Sequence, residues 1–217
     1  MIRVLVADDH PIVREGLRVV LSRAADRRVE AEAANGLEAY NMARTGRYDV
    51  LLLDISISGR NSGLDLVKEL KRSGTTVPIL IFTMHPEEQY GVYALKAGAA
   101  GYLKKGAATD EVVKAIRKVA AGGRYVSAAL AEVLAGRLMN GHSEQASHNA
   151  LSQREFEVLV SLASGKPATE IARGLMLSVK TISTYRTRIL EKLQLKDTAH
   201  LIRYAVQNGL VSGSEGG

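Results

Sequence analysis

The chain has 217 residues, of which 46% are hydrophobic and 24% charged, and it contains no cysteine. This length suggests two domains, and the missing cysteines exclude disulfides and thiolate metal sites and accord with a reducing cytoplasm. No apolar run approaches the ~20 residues needed to cross a bilayer, so no membrane role is expected, while the net charge of +6 allows a polyanionic partner without requiring one.

Arg3-Val4-Leu5-Val6-Ala7 is a short apolar strand entered directly from Met1, with no leader pattern before it, and it ends in Asp8 and Asp9. His10-Pro11 opens a helix carrying Ile12, Val13, Leu17, Val20 and Leu21 at helical spacing. A weaker strand from Val29 to Ala34 turns at Asn35-Gly36 into a helix from about Leu37 to Thr45. Val50-Leu51-Leu52-Leu53 reads as a strand buried on both faces, as parallel sheets require, and it stops at Asp54. A polar loop from Ser56 to Ser62 leads to a helix face of Leu64, Leu66, Val67 and Leu70. Pro78 to Phe82 is a strand ending at Thr83, and Glu87 to Ala97 fits a helix. Tyr102-Leu103-Lys104 is the last strand, followed by a helix from Thr109 to Ala121.

Strands alternating with helices predict an α/β fold, a five-stranded doubly wound parallel sheet of flavodoxin-like type. Right-handed crossovers bring all strand ends to one edge, where Asp8, Asp9, Asp54, Thr83 and Lys105 meet. Three carboxylates repel one another unless a cation separates them, and an all-oxygen set suits Mg²⁺ or Mn²⁺. A lysine ammonium and a threonine hydroxyl suit the extra oxygens of a phosphoryl group. The chemistry expected of this edge is a carboxylate that accepts a phosphoryl group with help from a metal.

On these motifs, residues 1 to 122 resemble the receiver domain of two-component response regulators. Val4-Leu5-Val6-Ala7-Asp8-Asp9-His10 matches its acidic motif, Val50 to Asp54 its phosphoacceptor strand, Ile81-Phe82-Thr83 its switch strand and Gly101-Tyr102-Leu103-Lys104-Lys105 its aromatic-and-lysine strand. The resemblance implies that Asp54 is phosphorylated and that Asp8, Asp9, Asp54 and the Ser56 backbone carbonyl hold Mg²⁺. It also implies that Thr83 meets the phosphoryl group and that Tyr102 is a switch that turns inward on activation. Two lysines compete for the last role; the family spacing of three residues from the aromatic selects Lys105 over Lys104. The match departs at Ser58, where the family usually has proline, and at Gly63, which comes one residue late after Gly59-Arg60-Asn61-Ser62.

Residues 123 to 150 are expected to be a linker with a helix from Ala128 to Met139 and a polar stretch from Asn140 to Asn149. His142 and His148 lie in that stretch and are read as solvated linker residues. In residues 151 to 217, Ser152 and Glu155 make a capping box that starts a helix carrying Phe156, Leu159, Val160, Leu162 and Ala163 inward. A short helix from Thr169, a turn at Met176-Leu177-Ser178 and a longer helix from Val179 to Leu193 predict helix-turn-helix organisation. A final helix spans Thr198 to Asn208. A small helical bundle with solvated charges is the bland alternative, but the stretch from Val179 to Leu190 holds three basic residues, several hydroxyls and no acid.

This part is similar to the LuxR-type helix-turn-helix of NarL/FixJ response regulators, on Leu151-Ser152 with Glu155, Glu170-Ile171-Ala172, Leu177-Ser178 with Lys180-Thr181-Ile182, and Ile189-Leu190 with Lys192-Leu193. The resemblance implies that Ser183, Thr184 and Thr187 face bases, while Lys180, Tyr185, Arg186 and Arg188 meet phosphates. The expected whole is a cytoplasmic response regulator, not an enzyme, phosphorylated by a sensor histidine kinase or phosphotransfer protein and binding double-stranded promoter DNA as a homodimer. Two rivals stand beside it. A phosphohydrolase would need a general acid two residues after the nucleophile, and Ser56 stands there. An interaction module that works without phosphorylation would not need the complete acid, threonine and lysine set.

Overall fold

The computed structural model describes residues 1–58, 63–139, 151–175, 177–208 and 210–211. The chain divides into two compact units, Met1–Asn140 and Gly141–Gly217. The polar stretch 140–149, with His142 and His148, lies outside the described residues, as do residues 59–62 of the first unit's loop and Met176 of the turn in the second.

In the first unit, β1 (Ile2–Ala7), β2 (Arg27–Ala33), β3 (Val50–Leu53), β4 (Ile79–Thr83) and β5 (Gly101–Lys104) alternate with α1 (Pro11–Ser22), α2 (Gly36–Ala43), α3 (Gly63–Arg72), α4 (Glu87–Ala97) and α5 (Thr109–Ala120). The sheet is parallel throughout, in the order β2-β1-β3-β4-β5. All four residues of β3 and all five of β4 are buried, which is why both read as unbroken apolar runs. On one face Val4, Val6, Val50, Leu52, Leu80 and Phe82 pack with Leu17 and Leu21 of α1 and with Val112, Ile116 and Val119 of α5. β2 begins at Arg27, two residues before the predicted start, because an arginine whose head group reaches Asp26 at 2.6 Å tolerates burial there. Strand order reverses between β1 and β3, the place where sheets of this kind leave a crevice for a ligand.

The segment after α5 extends the sheet edge. The Tyr125 amide donates to Ala100 O at 2.9 Å, and the Tyr102 amide donates to Tyr125 O at 3.1 Å. That pairing needs glycine at 101, since a Cβ there would lie 2.6 Å from Tyr125 O. The chain then enters α6 (Ala128–Met139), which packs on α4 with Leu130 buried over Gly91. The first part of the predicted linker is therefore part of the first compact unit.

The second unit contains α7 (Gln153–Ala163), α8 (Ala168–Gly174), α9 (Val179–Lys192) and α10 (Thr198–Gln207). α7 packs on α9 and α10, and α8 packs on α9. Phe156, Leu159, Ile171, Ile182, Ile189 and Leu201 form its buried core. The capping box is complete: the Glu155 amide donates to Ser152 Oγ and the Ser152 amide to Glu155 Oε2. Lys192 of α9 adds an ion pair to that buried carboxylate at 2.6 Å, tying the first and third helices of the unit together.

Candidate functional site

β1 stops at Ala7 and β3 at Leu53, and these two residues pair in register. The next residue on each strand, Asp8 and Asp54, therefore falls at the carboxyl edge of neighbouring strands, beside the reversal in strand order. Both are almost fully buried, at 2% and 3% exposure. β4 places Thr83 at the same edge, fully buried, and β5 delivers Lys104 and Lys105.

The two lysines take opposite directions. Lys104 pairs with Thr83 in the sheet and is exposed. The Lys105 amide donates to Thr83 O at 2.8 Å, and its Nζ lies 2.7 Å from both Asp8 Oδ2 and Asp54 Oδ2. Burial acts to lower the Lys105 pKa, but hydrogen bonds and the nearby charges of Asp54 and Asp8 outweigh it and hold the ammonium above its ordinary range.

The other oxygens are arranged around a second point. Asp54 Oδ1 accepts the Ser56 amide at 3.0 Å, and Asp8 Oδ1 accepts the His10 amide at 2.9 Å. Asp9 Oδ1 is a buried oxygen with no hydrogen bond. His10 Nδ1 approaches it to 2.8 Å, but at an angle that makes no hydrogen bond. Asp8, Asp9, His10 and Asp54 each bring one donor atom to a cluster whose members lie within 4.8 Å of one another. A buried carboxylate oxygen that accepts no hydrogen bond, beside two further carboxylates, fits a hard divalent cation such as Mg²⁺ or Mn²⁺.

Tyr102 is buried at 1% exposure, and its hydroxyl donates to His85 O at 3.1 Å. The resemblance has this ring turn inward on activation, whereas the structure holds it inward already, with the phenol proton satisfied. His85 is a participant that sequence reasoning missed. Its Nε2 lies 2.9 Å from Ser56 Oγ, its amide donates to Thr83 Oγ1 at 3.4 Å, and its ring lies 4.5 Å from that of Tyr90. Nothing in the local pattern around Met84-His85 marks it, because its role depends on a neighbour 29 positions away. Gly63 is also essential to the geometry. A Cβ at this position would lie 2.4 Å from Ile55 Cα and 2.7 Å from Asp54 O, so the start of α3 rests directly on the Asp54 turn.

In the second unit, α9 is capped by Ser178, whose Oγ accepts the Thr181 amide at 3.0 Å. Ile182 and Ile189 face inward, leaving Lys180, Ser183, Thr184, Arg186, Thr187 and Arg188 exposed and Tyr185 half-buried. The Ser183, Thr184 and Thr187 hydroxyls donate to the carbonyls of Val179, Lys180 and Ser183, at 3.1, 3.1 and 3.2 Å. Their protons are thus spent on the helix, and toward any ligand they present lone pairs and methyl or methylene surface. Arg186 Nε donates to Thr198 Oγ1 at 2.8 Å, so this side chain is steadied by the start of α10.

A doubly wound domain with an acidic, lysine-bearing edge, followed by a helix-turn-helix, defines the class of two-domain signalling regulators. Residues 4–117 match the family described as response regulator receiver domain, and residues 149–205 the bacterial regulatory proteins of the luxR family. The response regulator UvrY of Escherichia coli is 37% identical over 210 residues, covering 97% of this chain and 96% of UvrY. The response regulator GacA of Pseudomonas aeruginosa is 36% identical over 214 residues, covering 99% of this chain and 100% of GacA. Among solved structures, the response regulator ChrA of a heme-sensing two-component system is similar at 34% identity and a TM-score of 0.53, over 97% of this chain and 98% of that one. RcsB of Salmonella enterica serovar Typhimurium, bound to the promoter rprA with phosphomimetic BeF₃⁻, is similar at 27% identity and a TM-score of 0.62, over 94% of this chain and 97% of that one. The chain belongs to the two-component response regulators of NarL/FixJ type, with a receiver domain and a LuxR-type helix-turn-helix domain. Among the described residues, no helix is long and apolar enough to cross a membrane.

Proposed function

We propose that this protein is a cytoplasmic transcription factor whose binding to promoter DNA is controlled by phosphorylation of Asp54. The observation that carries the reading is the Lys105 ammonium shared between Asp8 and Asp54 at 2.7 Å, beside a buried Asp9 oxygen that accepts no hydrogen bond. Asp8, Asp9, Asp54 and the Ser56 carbonyl would hold Mg²⁺, which when bound neutralises charge on the entering phosphoryl oxygens. An Asp54 carboxylate oxygen forms the new P–O bond as the P–N bond of a phosphohistidine donor breaks, and the leaving imidazole keeps the electron pair. Lys105 then exchanges a carboxylate partner for a phosphoryl oxygen, and the Thr83 hydroxyl is drawn toward another. The partner that supplies the group is a sensor histidine kinase or a phosphotransfer protein. The Ser56 hydroxyl is no general acid near neutral pH, so hydrolysis by a paired-acid mechanism is disfavoured and the chain acts as a regulator rather than an enzyme.

For the output, α9 enters the major groove of a promoter duplex. Lys180, Arg186 and Arg188 neutralise phosphates, with Tyr185 at the groove wall. Ser183, Thr184 and Thr187 meet base edges as acceptors or through apolar contact with a thymine methyl. None of the three can make a bidentate contact, so each half-site is read modestly. A homodimer supplies the second half-site, and DNA shape adds to the selection. The RcsB–promoter complex with BeF₃⁻ supports this reading by similarity.

The test is a Phos-affinity gel after treatment with acetyl phosphate and Mg²⁺, with wild type beside Asp54→Ala. A retarded species is expected in the wild type alone. Retardation of both proteins would move the phosphoacceptor elsewhere.

A further inference from the structure

His10 stands beside the acid cluster without a part in the phosphoryl chemistry above. It is the residue before α1, and Pro11 restricts it to extended backbone, with φ −90° and ψ 110°. Its ring therefore lies over the acids instead of winding into the helix. The imidazole is 61% exposed, so an ion arriving from solvent reaches it before the buried carboxylates. Its Nδ1 is 3.1 Å from Asp8 Oδ1 and 2.8 Å from Asp9 Oδ1.

Those spacings have a chemical meaning. Adjacent donors around an octahedral cation, each about 2.1 Å from it, lie about 3.0 Å apart, and opposite donors about 4.2 Å apart. The four-residue cluster, all within 4.8 Å, is somewhat wider than one such coordination sphere and would contract around an ion. The contact with Asp8 Oδ1 is a hydrogen bond, in which Nδ1 carries a proton that a bound cation would displace. The other contact, with Asp9 Oδ1 at 2.8 Å, is made at ion-pair distance and is not a hydrogen bond. One ring nitrogen thus faces two carboxylate oxygens, and a cation taking the place of its proton would be shared by all three atoms.

We infer that His10 is a metal-selectivity residue: its Nδ1 adds a nitrogen donor to the carboxylate site and opens it to borderline cations such as Ni²⁺ or Co²⁺ beside Mg²⁺. The inference rests on the metal reading proposed above and extends it. Imidazole contributes little to Mg²⁺, which prefers oxygen, but binds later first-row cations strongly. The same receiver edge would then distinguish two classes of cation, with His10 setting the ratio.

The experiment uses the full chain and Mn²⁺ as probe, observed by EPR, with Mg²⁺ and Ni²⁺ as competitors. Wild type, His10→Ala, His10→Asn, His85→Ala and Asp9→Asn are compared. Pulsed EPR of bound Mn²⁺ is expected to show coupling to a ligand nitrogen in wild type and His85→Ala, and none in His10→Ala or His10→Asn. The ratio of Ni²⁺ to Mg²⁺ affinity is expected to fall about tenfold in both His10 variants. If Mn²⁺ binds through Asp9 but the nitrogen coupling and the ratio survive His10→Ala, the selectivity role is overturned while the metal site stands. If wild type binds no Mn²⁺, or Asp9→Asn binds it unchanged, the metal reading fails and the inference with it.

Discussion

At the edge of the receiver sheet Lys105 is sunk between two buried carboxylates, whereas along α9 Lys180, Arg186 and Arg188 stand in solvent with no acid among them. The first arrangement is expensive to assemble, because charges leave water and must satisfy one another. It is reached by placing each group at or just past the carboxyl end of a sheet strand, where the backbone fixes its position. The second needs no such framework, since an exposed cation keeps its hydration until a polyanion displaces it. On the function proposed above, bond-making chemistry would sit on the rigid sheet and reversible electrostatic binding on a helix of a small bundle. The same contrast appears in the glycines. Gly63 has backbone atoms where its Cβ would go, while Gly174, at the end of α8, has open space.

The largest effect that would sharpen this comparison is Gly63→Ala. Backbone at 2.4 Å cannot yield as a side-chain tip would, so the Asp54 turn must shift. A loss of about 3 kcal/mol or more is expected in the receiver, read as a lowered midpoint of the receiver's own transition in denaturant melts. An unchanged transition would mean that α3 does not rest on the turn.

Next in size is Glu155→Ala, which removes half of the capping box and the partner of Lys192. About 2 kcal/mol should be lost from the helical unit. Burial works to raise the Glu155 pKa, but hydrogen bonds from Lys192 and from Ser152 prevail and hold it below the ordinary value of 4.5. Its stabilisation is present above that value and disappears as pH falls through the lower folded one, so the difference between variant and wild type should close in acid. Lys105 runs the other way: its folded pKa is raised, so its contribution is complete below 10.5 and fades at higher pH. Melts across both ranges test the pair, and a Glu155→Ala deficit that persists far into acid would contradict the first half.

On the DNA side smaller effects are expected. Arg188→Ala should weaken binding to cognate and scrambled duplexes alike, by about fivefold, and flatten the salt dependence. Thr184→Ala should mainly narrow the gap between the two duplexes. Fluorescence anisotropy at two salt concentrations separates them, and a reversed pattern would exchange the roles. The smallest change is Gly174→Ala, for which a gain of about 0.5 kcal/mol is expected in the helical unit's transition.

Much of this was legible in the sequence, and for identifiable reasons. A strand buried on both faces must be apolar throughout, so Val50 to Leu53 announced both the strand and the position of Asp54. Ser152 and Glu155 carried the start of α7 because a capping box is a local device. The spacing of Lys105 from Tyr102 was legible too, and Lys104 is the one exposed residue of β5. What the pattern concealed depends on distant partners. Tyr125 extends the sheet through backbone hydrogen bonds that require only a glycine opposite, and no periodicity marks a single bridge. His85 reaches Ser56 across the edge, and Leu130 is buried because Gly91 leaves it room. Tyr102 was legible as the aromatic of β5, but its inward ring is held by the His85 carbonyl, which no local rule places.

The claim that joins the two halves is that the receiver edge governs the exposed face of α9. The direct measurement is the affinity of the full chain for promoter duplex by anisotropy, with and without acetyl phosphate and Mg²⁺, for wild type and Asp54→Ala. Phosphodonor should tighten binding by wild type and leave Asp54→Ala unmoved. Equal affinity for wild type in both conditions, or the same tightening in Asp54→Ala, would contradict it.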